Sequence, residues 1–283
     1  MTKAKVKSIL LTTIFWLLLI AITKLVVRGI ITFLPVPEKY VEYDYGQWNA
    51  IHFLIVLLAA CLLKVKVPTC KVKNFLTGVF KYGILLFSFC VVYIVVSLIW
   101  LNKWGWIYWQ GSALVREYLI RMVGACSMIG IAEEFMFRGF ILNSLFKAFS
   151  KDNRKERMIA CFYCSLLFGL WHLSDYIAGV TTSIPYATII TGFLVGFFLA
   201  AVYLRTNNIF TVMLLHGLID YAIICSSLTE GTPNSYYIND KRRLVQIILV
   251  AILFIQGFIM LWKDKQEPTT KAEENQLQDR IEA

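Results

Sequence analysis

Charged residues are scarce in this sequence: Asp, Glu, Lys and Arg make up 16% of its 283 residues, against 58% for apolar residues. A water-soluble domain of this length could not bury so much apolar surface, so the composition excludes one. Stretches without charge recur along nearly the whole chain, and they are continuous rather than alternating. Continuous runs exclude a β-barrel and indicate membrane-spanning helices.

The apolar runs predict an all-α, polytopic transmembrane bundle of about eight helices. The predicted spans are 8–27, 48–63, 78–101, 117–146, 158–174, 184–204, 209–228 and 244–262. One transmembrane domain therefore covers residues 1–262, and a polar cytoplasmic tail covers 263–283. The first span follows three lysines, as a signal peptide would, but no small-x-small cleavage site follows it, so we expect a retained helix.

The net charge of +10 does not indicate a nucleic-acid partner, because the basic residues lie in short segments beside apolar runs. With the amino terminus inside the cell, fifteen Lys and Arg residues flank the inner ends of the spans and eight flank the outer ends. This excess predicts that both termini are cytoplasmic. The run Lys241-Arg242-Arg243 falls on the outer side and opposes the trend.

Ionisable residues inside the spans are the informative ones, because each ionised group near the bilayer centre costs about 2.5–3.5 kcal/mol. The residues concerned are Glu133, Glu134 and Arg138 in "EEFMFR", His172 in "FGLWH", His216 and Asp220 in "HGLID", and the isolated His52. His52 has no polar residue at helical spacing, so we interpret it as a packed or interface histidine. The cysteines Cys161 and Cys164 form a single CxxC with no second pair, which favours buried thiols over a zinc site.

Helical geometry predicts which of these side chains meet. Residues four apart share a face, so Glu134 can contact Arg138, and His216 can contact Asp220. Glu133 points about 100° away from Glu134, so one glutamate can pair with the arginine while the other faces a cavity. Taken alone, the glutamate–arginine pair fits a structural salt bridge equally well.

A pocket that joins these groups suits peptide hydrolysis. A buried glutamate without a full counter-charge holds a proton tightly enough to act as a general base for water. An imidazole can donate a hydrogen bond to an oxyanion or protonate a leaving amine. Asp220 is a candidate for fixing the tautomer of His216.

Three motifs carry a resemblance to a known family. "EEFMFR" fits EExxxR, "FGLWH" fits FxxxH, and "HGLID" is close to HxxxN. In this order, inside membrane helices, they resemble the motifs of the CPBP family of intramembrane proteases. That family includes the eukaryotic CAAX prenyl endopeptidases and the bacterial Abi, or bacteriocin-processing and immunity, proteins. The resemblance covers about residues 117–228.

The resemblance implies a role for each residue. Glu133 would activate water, supported by Glu134 and Arg138, while His172 and His216 would line the site and stabilise the oxyanion or orient the water. Asp220 stands where the family pattern usually has asparagine. An ionised aspartate only accepts hydrogen bonds, so Asp220 would have to be protonated to stabilise an oxyanion, or would instead orient His216.

Family members have been described as metalloenzymes and as metal-independent glutamate proteases. This sequence lacks HExxH and disperses its potential ligands over three helices, so no cofactor is favoured. Zinc remains possible, with Glu133, His172 and His216 as its ligands.

The sequence therefore predicts an intramembrane endopeptidase that acts on a membrane-associated peptide or protein. The alternatives are a bacteriocin self-immunity protein of the same family and a non-catalytic scaffold or transporter; no internal repeat supports a transporter of two related halves. One subunit holds the whole site, so an oligomer is not required. We expect the bacterial plasma membrane rather than the endoplasmic reticulum, since no retention signal is evident.

Overall fold

The computed structural model describes residues 2–33, 54–55, 57–58, 72–109, 112–173, 186–229 and 240–263. Within these ranges the backbone is helical apart from short turns, and it contains no strand. His52, most of the predicted span 48–63 and the predicted tail from residue 264 onward lie outside the described residues.

The described helices are α1 (Lys3–Phe33), α2 (Val72–Thr77), α3 (Ile84–Trp109), α4 (Ser112–Glu134), α5 (Arg154–Trp171), α6 (Tyr186–Thr206), α7 (Ile209–Thr229) and α8 (Asp240–Trp262). A π-helical segment, Gly78–Tyr82, follows α2. A second, Phe135–Leu142, continues α4 and ends in a last α-helical turn, Asn143–Leu145. The predicted span 117–146 is therefore one continuous helix that changes from α-helical to π-helical directly after Glu134.

Three stretches of the described helices are long and apolar enough to cross a membrane: Ile84–Asn102, Tyr186–Thr206 and Ile209–Ser226. Gln246–Trp262 is also apolar but shorter. Together with the helical backbone, these spans confirm the predicted fold class, an all-α membrane helical bundle. The most apolar of them, in α3, exposes most of its side chains, as expected for a helix that faces lipid.

The amino-terminal helix packs against the rest of the bundle. Trp16 and Leu19 of α1 lie in the main hydrophobic core, and Phe15 stacks on Phe140 with ring centroids 4.1 Å apart. The hydroxyl groups of Thr13 in α1 and Tyr163 in α5 also form a hydrogen bond. The first helix is thus an integral part of the fold.

Helices α4 and α7 cross with their backbones in direct contact. A Cβ atom built on Gly130 would lie 2.6 Å from the carbonyl oxygen of Met213 and 2.8 Å from the amide nitrogen of Gly217. A Cβ atom on Gly217 would lie 3.0 Å from the carbonyl oxygen of Cys126. Small residues permit this approach in membrane bundles. The crossing brings His216 of α7 beside the end of α4.

Helices α5 and α6 meet in the same way. A Cβ atom on Gly169 would lie 2.6 Å from the carbonyl oxygen of Ile189, and one on Gly196 would lie 2.8 Å from Cδ1 of Phe168. A Cβ atom on Gly192 would lie 2.9 Å from the His172 ring. Phe168 and His172 of the FGLWH motif therefore lie directly against glycines of α6.

The turn between α6 and α7 has its own local determinants. Asn207 adopts a left-handed conformation with φ of 47°, which asparagine tolerates better than most residues. The side-chain oxygen of Asn208 accepts a hydrogen bond from the amide of Thr211 and caps the start of α7. These two residues place α7 directly after α6.

The π-helical segment after Glu134 is stabilised by Asn143. Its side-chain amide donates to the carbonyl oxygens of Arg138 and Gly139, both at 3.0 Å, and lies 2.9 Å from the hydroxyl of Tyr203. A change of winding leaves a backbone carbonyl without its usual amide donor, and a buried carbonyl needs a partner. Asn143 supplies that partner at the end of the segment.

The glycine contact between α4 and α7 gives a direct stability test. We expect Gly130→Ala to lower the free energy of unfolding by about 1–3 kcal/mol, because the new methyl group would overlap the backbone of α7. Gly124→Ala is the matched control in the same helix, since a Cβ atom there meets nothing within 4 Å. It should be neutral, or stabilising by about 0.5–1 kcal/mol. Thermal unfolding in detergent compares the two, and equal Tm values would contradict the described crossing.

Candidate active site

A fully buried ion pair lies at the centre of the bundle. Nη1 of Arg138 donates to Oε1 of Glu134 over 2.6 Å, and both side chains have no exposed surface. Nη2 of Arg138 donates to the carbonyl oxygen of Gly196 over 2.6 Å, and the guanidinium lies 4.8 Å from the centre of the Phe168 ring. The contact that spacing predicted for Glu134 and Arg138 is therefore present, and it extends to α5 and α6.

The same oxygen of Glu134 also holds His216. Nδ1 of His216 lies 2.8 Å from Oε1 of Glu134, within hydrogen-bonding distance. Because an ionised carboxylate can only accept, this contact assigns the imidazole proton to Nδ1. In the neutral ring, Nε2 is then left as an acceptor.

Glu133 faces His216 from the neighbouring position on α4. Its Oε2 lies 3.8 Å from Nε2 of His216, and its Oε1 accepts a hydrogen bond of 3.1 Å from the indole nitrogen of Trp171. The side chain is buried, with 9% of its surface exposed. The two adjacent glutamates thus contact opposite sides of one imidazole, since Glu134 binds Nδ1 and Glu133 approaches Nε2.

Asp220 lies on the Nε2 side of His216. Its Oδ2 is 3.7 Å from Nε2, which is too long for a direct hydrogen bond. The tautomer of His216 is therefore fixed by Glu134 and not by Asp220, the residue that sequence spacing suggested. Asp220 interacts electrostatically with His216, Glu133 and His172, so it belongs to the same cluster of charge.

His172 follows the end of α5 and is half-buried. Its ring lies 5.7 Å from that of Phe168, and the ring of His216 lies 5.5 Å from the same phenyl group, both in edge-to-face contact. The two imidazoles are therefore brought together around Phe168. His216 lies between the two glutamates, with a hydrogen-bonding contact to Glu134 and a separation of 3.8 Å from Glu133.

Among the described residues, no group of three His, Cys, Asp or Glu side chains is arranged to hold a metal ion. Glu133, His172 and His216, as they are placed, do not form a ligand set for zinc. Nδ1 of His216 lies 2.8 Å from Oε1 of Glu134, and Nε2 lies 3.8 Å from Oε2 of Glu133 and 3.7 Å from Oδ2 of Asp220.

Residues 115–222 match the family described as type II CAAX prenyl endopeptidase Rce1-like. The matched segment belongs to this family. All six site residues lie inside it, and the expected resemblance to CPBP intramembrane proteases is confirmed. Comparison with curated proteins gave no match, and comparison with solved structures gave none.

Within this CAAX protease segment, sequence reasoning missed Trp171. The residue was visible as the letter before the histidine of "FGLWH", but a tryptophan in an apolar helix gives no signal of its own. Its buried indole needs a hydrogen-bond acceptor, and it finds one in Oε1 of Glu133. Trp171 thereby fixes the orientation of the carboxylate that faces His216.

The buried ion pair gives a second stability test. Arg138→Met should lower the free energy of unfolding by about 3–5 kcal/mol, because it leaves the Glu134 carboxylate buried without its counter-charge. Glu134→Gln added to Arg138→Met should restore much of the loss, since no uncompensated charge then remains. Thermal unfolding of the single and double variants measures the difference. A double variant as unstable as Arg138→Met would show that the charge is not the cause.

Proposed function

We propose that the protein is an intramembrane endopeptidase of the CAAX protease type in which Glu133 activates water. The observation that carries this proposal is the 3.8 Å separation between Oε2 of Glu133 and Nε2 of His216. It exceeds a direct hydrogen bond and suits a bridge by one water molecule. The substrate would be a peptide or protein associated with the membrane, and the reaction would be hydrolysis of a peptide bond.

The hydrogen bonds around the two side chains support this role. Neutral His216 keeps its proton on Nδ1 toward Glu134, so Nε2 accepts a hydrogen bond from the bridging water. Oε2 of Glu133 accepts the other hydrogen of that water, and Trp171 holds the carboxylate in place through Oε1. Both hydrogens are then engaged, and the lone pairs of the water oxygen are directed at the substrate carbonyl.

The reaction would proceed in two proton transfers. Glu133 takes a proton from the water while the water oxygen bonds to the carbonyl carbon of the substrate. This attack produces a tetrahedral oxyanion. As the carbon–nitrogen bond breaks, the same proton passes from Glu133 to the leaving amine. The second proton of the water stays on the new carboxyl group, which then loses it to the amine or to solvent. The products are therefore a carboxylate terminus and an amine, and Glu133 returns to its ionised form.

His172 is the proposed donor to the oxyanion. It packs against the same phenyl ring as His216 and interacts electrostatically with Asp220. Asp220 can assist the oxyanion only in its protonated form; ionised, it would keep positive charge on a nearby imidazole. In either case one subunit contributes every residue, so the proposed activity requires no oligomer. The proposed setting is the plasma membrane, with both termini in the cytoplasm.

The decisive variant is Glu133→Gln, which keeps the size and hydrogen-bonding capacity of the side chain but removes the base. Processing activity should fall by roughly a hundredfold or more, as expected when a general base is lost. His172→Ala and His216→Ala should also lower turnover. Cleavage of a membrane-associated peptide library by protein in vesicles, followed by mass spectrometry of the products, measures the effect.

Glu117→Gln is the matched control, because Glu117 lies on the same helix but is exposed and pairs only at the surface with Arg121. It should leave cleavage unchanged. Glu133→Gln protein that inserts normally and retains full biological function would exclude proteolysis as the purpose of the site. That outcome would favour a self-immunity, scaffold or transport role.

Metal dependence is tested separately by titrating purified protein with a chelator. The proposed route through Glu133 and His216 predicts unchanged cleavage at a chelator concentration that strips labile zinc. Loss of cleavage that is restored by added Zn²⁺ would overturn the metal-independent route while leaving the endopeptidase function standing.

A further inference from the structure

Three helices are joined at the end of the bundle where α1 begins and α8 ends. The guanidinium of Arg157 in α5 is buried, with 1% of the residue exposed. It donates to the carbonyl oxygen of Leu261 over 3.0 Å and to that of Lys151 over 2.8 Å. The start of α5 is thereby fixed against the last turn of α8.

The acidic residue at this junction is already neutralised. Glu156 accepts a hydrogen bond from Lys5 of α1 and another from the amide of Ser150. The hydrogen bond from Lys5 is the main reason that the pKa of Glu156 lies below its ordinary value. Because Lys5 takes up this charge, Glu156 does not offset the neighbouring exposed cations Arg154 and Lys155. Asp152, the other acidic residue of this segment, is exposed and interacts with Lys151.

Arg154 is held over an exposed aromatic side chain. Its guanidinium lies 4.8 Å from the Trp262 ring, and Trp262 stacks on Phe258 with centroids 5.9 Å apart. Trp262 is 51% exposed. A guanidinium that stacks on a ring face keeps the N–H groups along its edge available to an anion.

Exposed apolar side chains continue from this point along both helices. Ile159 and Phe162 of α5 are about half exposed, and so is Ile255 of α8. Phe193 of α6 lies between the two helices. Its ring centroid is 4.9 Å from that of Phe162 and 6.0 Å from that of Phe254. The apolar faces of α5 and α8 therefore flank one aromatic row and converge toward Arg154 and Trp262.

We propose that this surface binds an anionic phospholipid, with its phosphate on Arg154 and an acyl chain along the apolar faces of α5 and α8. A cation at one end and a lipid-facing apolar surface leading away from it match the two parts of such a molecule. The amides at the start of α5 are capped by Asn153, so the phosphate would be recognised by side chains. The site is independent of the proposed catalytic function.

The test measures how lipid changes the thermal stability of the purified full-length protein in detergent. Mixed micelles with dioleoylphosphatidylglycerol should raise Tm in a saturable manner, and dioleoylphosphatidylcholine should raise it less. Arg154→Gln should weaken the apparent affinity for phosphatidylglycerol about fivefold, which is the effect of removing one basic side chain near an anionic surface, about 1 kcal/mol. Mass spectrometry of retained lipid gives a second readout.

Lys81→Gln is the matched control, because Lys81 is also exposed and also lies over an aromatic ring, 5.5 Å from the centre of Tyr82. It should bind phosphatidylglycerol like the unmodified protein. Equal weakening by both variants would reduce the effect to bulk charge and overturn the site. Equal stabilisation by the two lipids would overturn it as well.

A soluble arm separates a lipid site from a simple phosphate site. Glycerol phosphate at matched concentration lacks the acyl chains and should leave Tm unchanged. A rise equal to that given by phosphatidylglycerol would show that the apolar faces contribute nothing, and the lipid assignment would fail.

Discussion

The fold is organised around the complete burial of the Arg138 guanidinium. A charge in that position must satisfy its donors with protein groups. Nη1 and Nη2 bind a carboxylate and a main-chain carbonyl, and an aromatic face packs against the group, while Nε has no hydrogen-bond partner among the described residues. The carbonyl belongs to Gly196, so α6 has to approach within 2.6 Å of the guanidinium. A side chain at that position would be pressed against Phe168. Gly196, the close approach of α6 and the Phe168 ring thus all stabilise the same buried guanidinium.

The Glu134 carboxylate connects this buried ion pair to the candidate active site. Oε1 of Glu134 contacts both Arg138 and His216, so the group that neutralises the guanidinium also sets the orientation of the imidazole. The α4–α7 crossing at Gly130 and Gly217 controls how far apart Glu134 and His216 lie. The stability of the fold and the geometry of the site therefore depend on the same few contacts. A change in the α4–α7 crossing or in the α5–α6 crossing would alter both.

Much of this arrangement could be predicted from spacing and hydrophobicity. The helical membrane fold follows from the apolar runs, and the contact between Glu134 and Arg138 follows from their separation by four residues. The partner of His216 could not be predicted in this way, because spacing within α7 suggested Asp220 whereas the actual partner comes from α4. Contacts between helices depend on crossing geometry, which is fixed by glycines whose significance appears only when the opposing backbone is known.

The π-helical segment could not be predicted from the sequence either, because its determinant is a contact outside the segment. "FMFRGFIL" is apolar apart from the arginine, and its pattern does not distinguish winding of one kind from another. Its determinant is Asn143, which lies just beyond the segment and donates back to two of its carbonyl oxygens. A lone asparagine near a helix end normally predicts a cap or a turn, so its role emerges only from the bonds that it makes.

Phe168 contacts Arg138, His172 and His216 together. The phenylalanine of the FxxxH motif therefore has a packing role in the site, in addition to its fixed spacing from the histidine. The ring packs against three polar groups at once, and its quadrupole offers a negative face to the guanidinium. An aliphatic residue of equal bulk would fill the volume but would leave the local dielectric environment of all three groups altered.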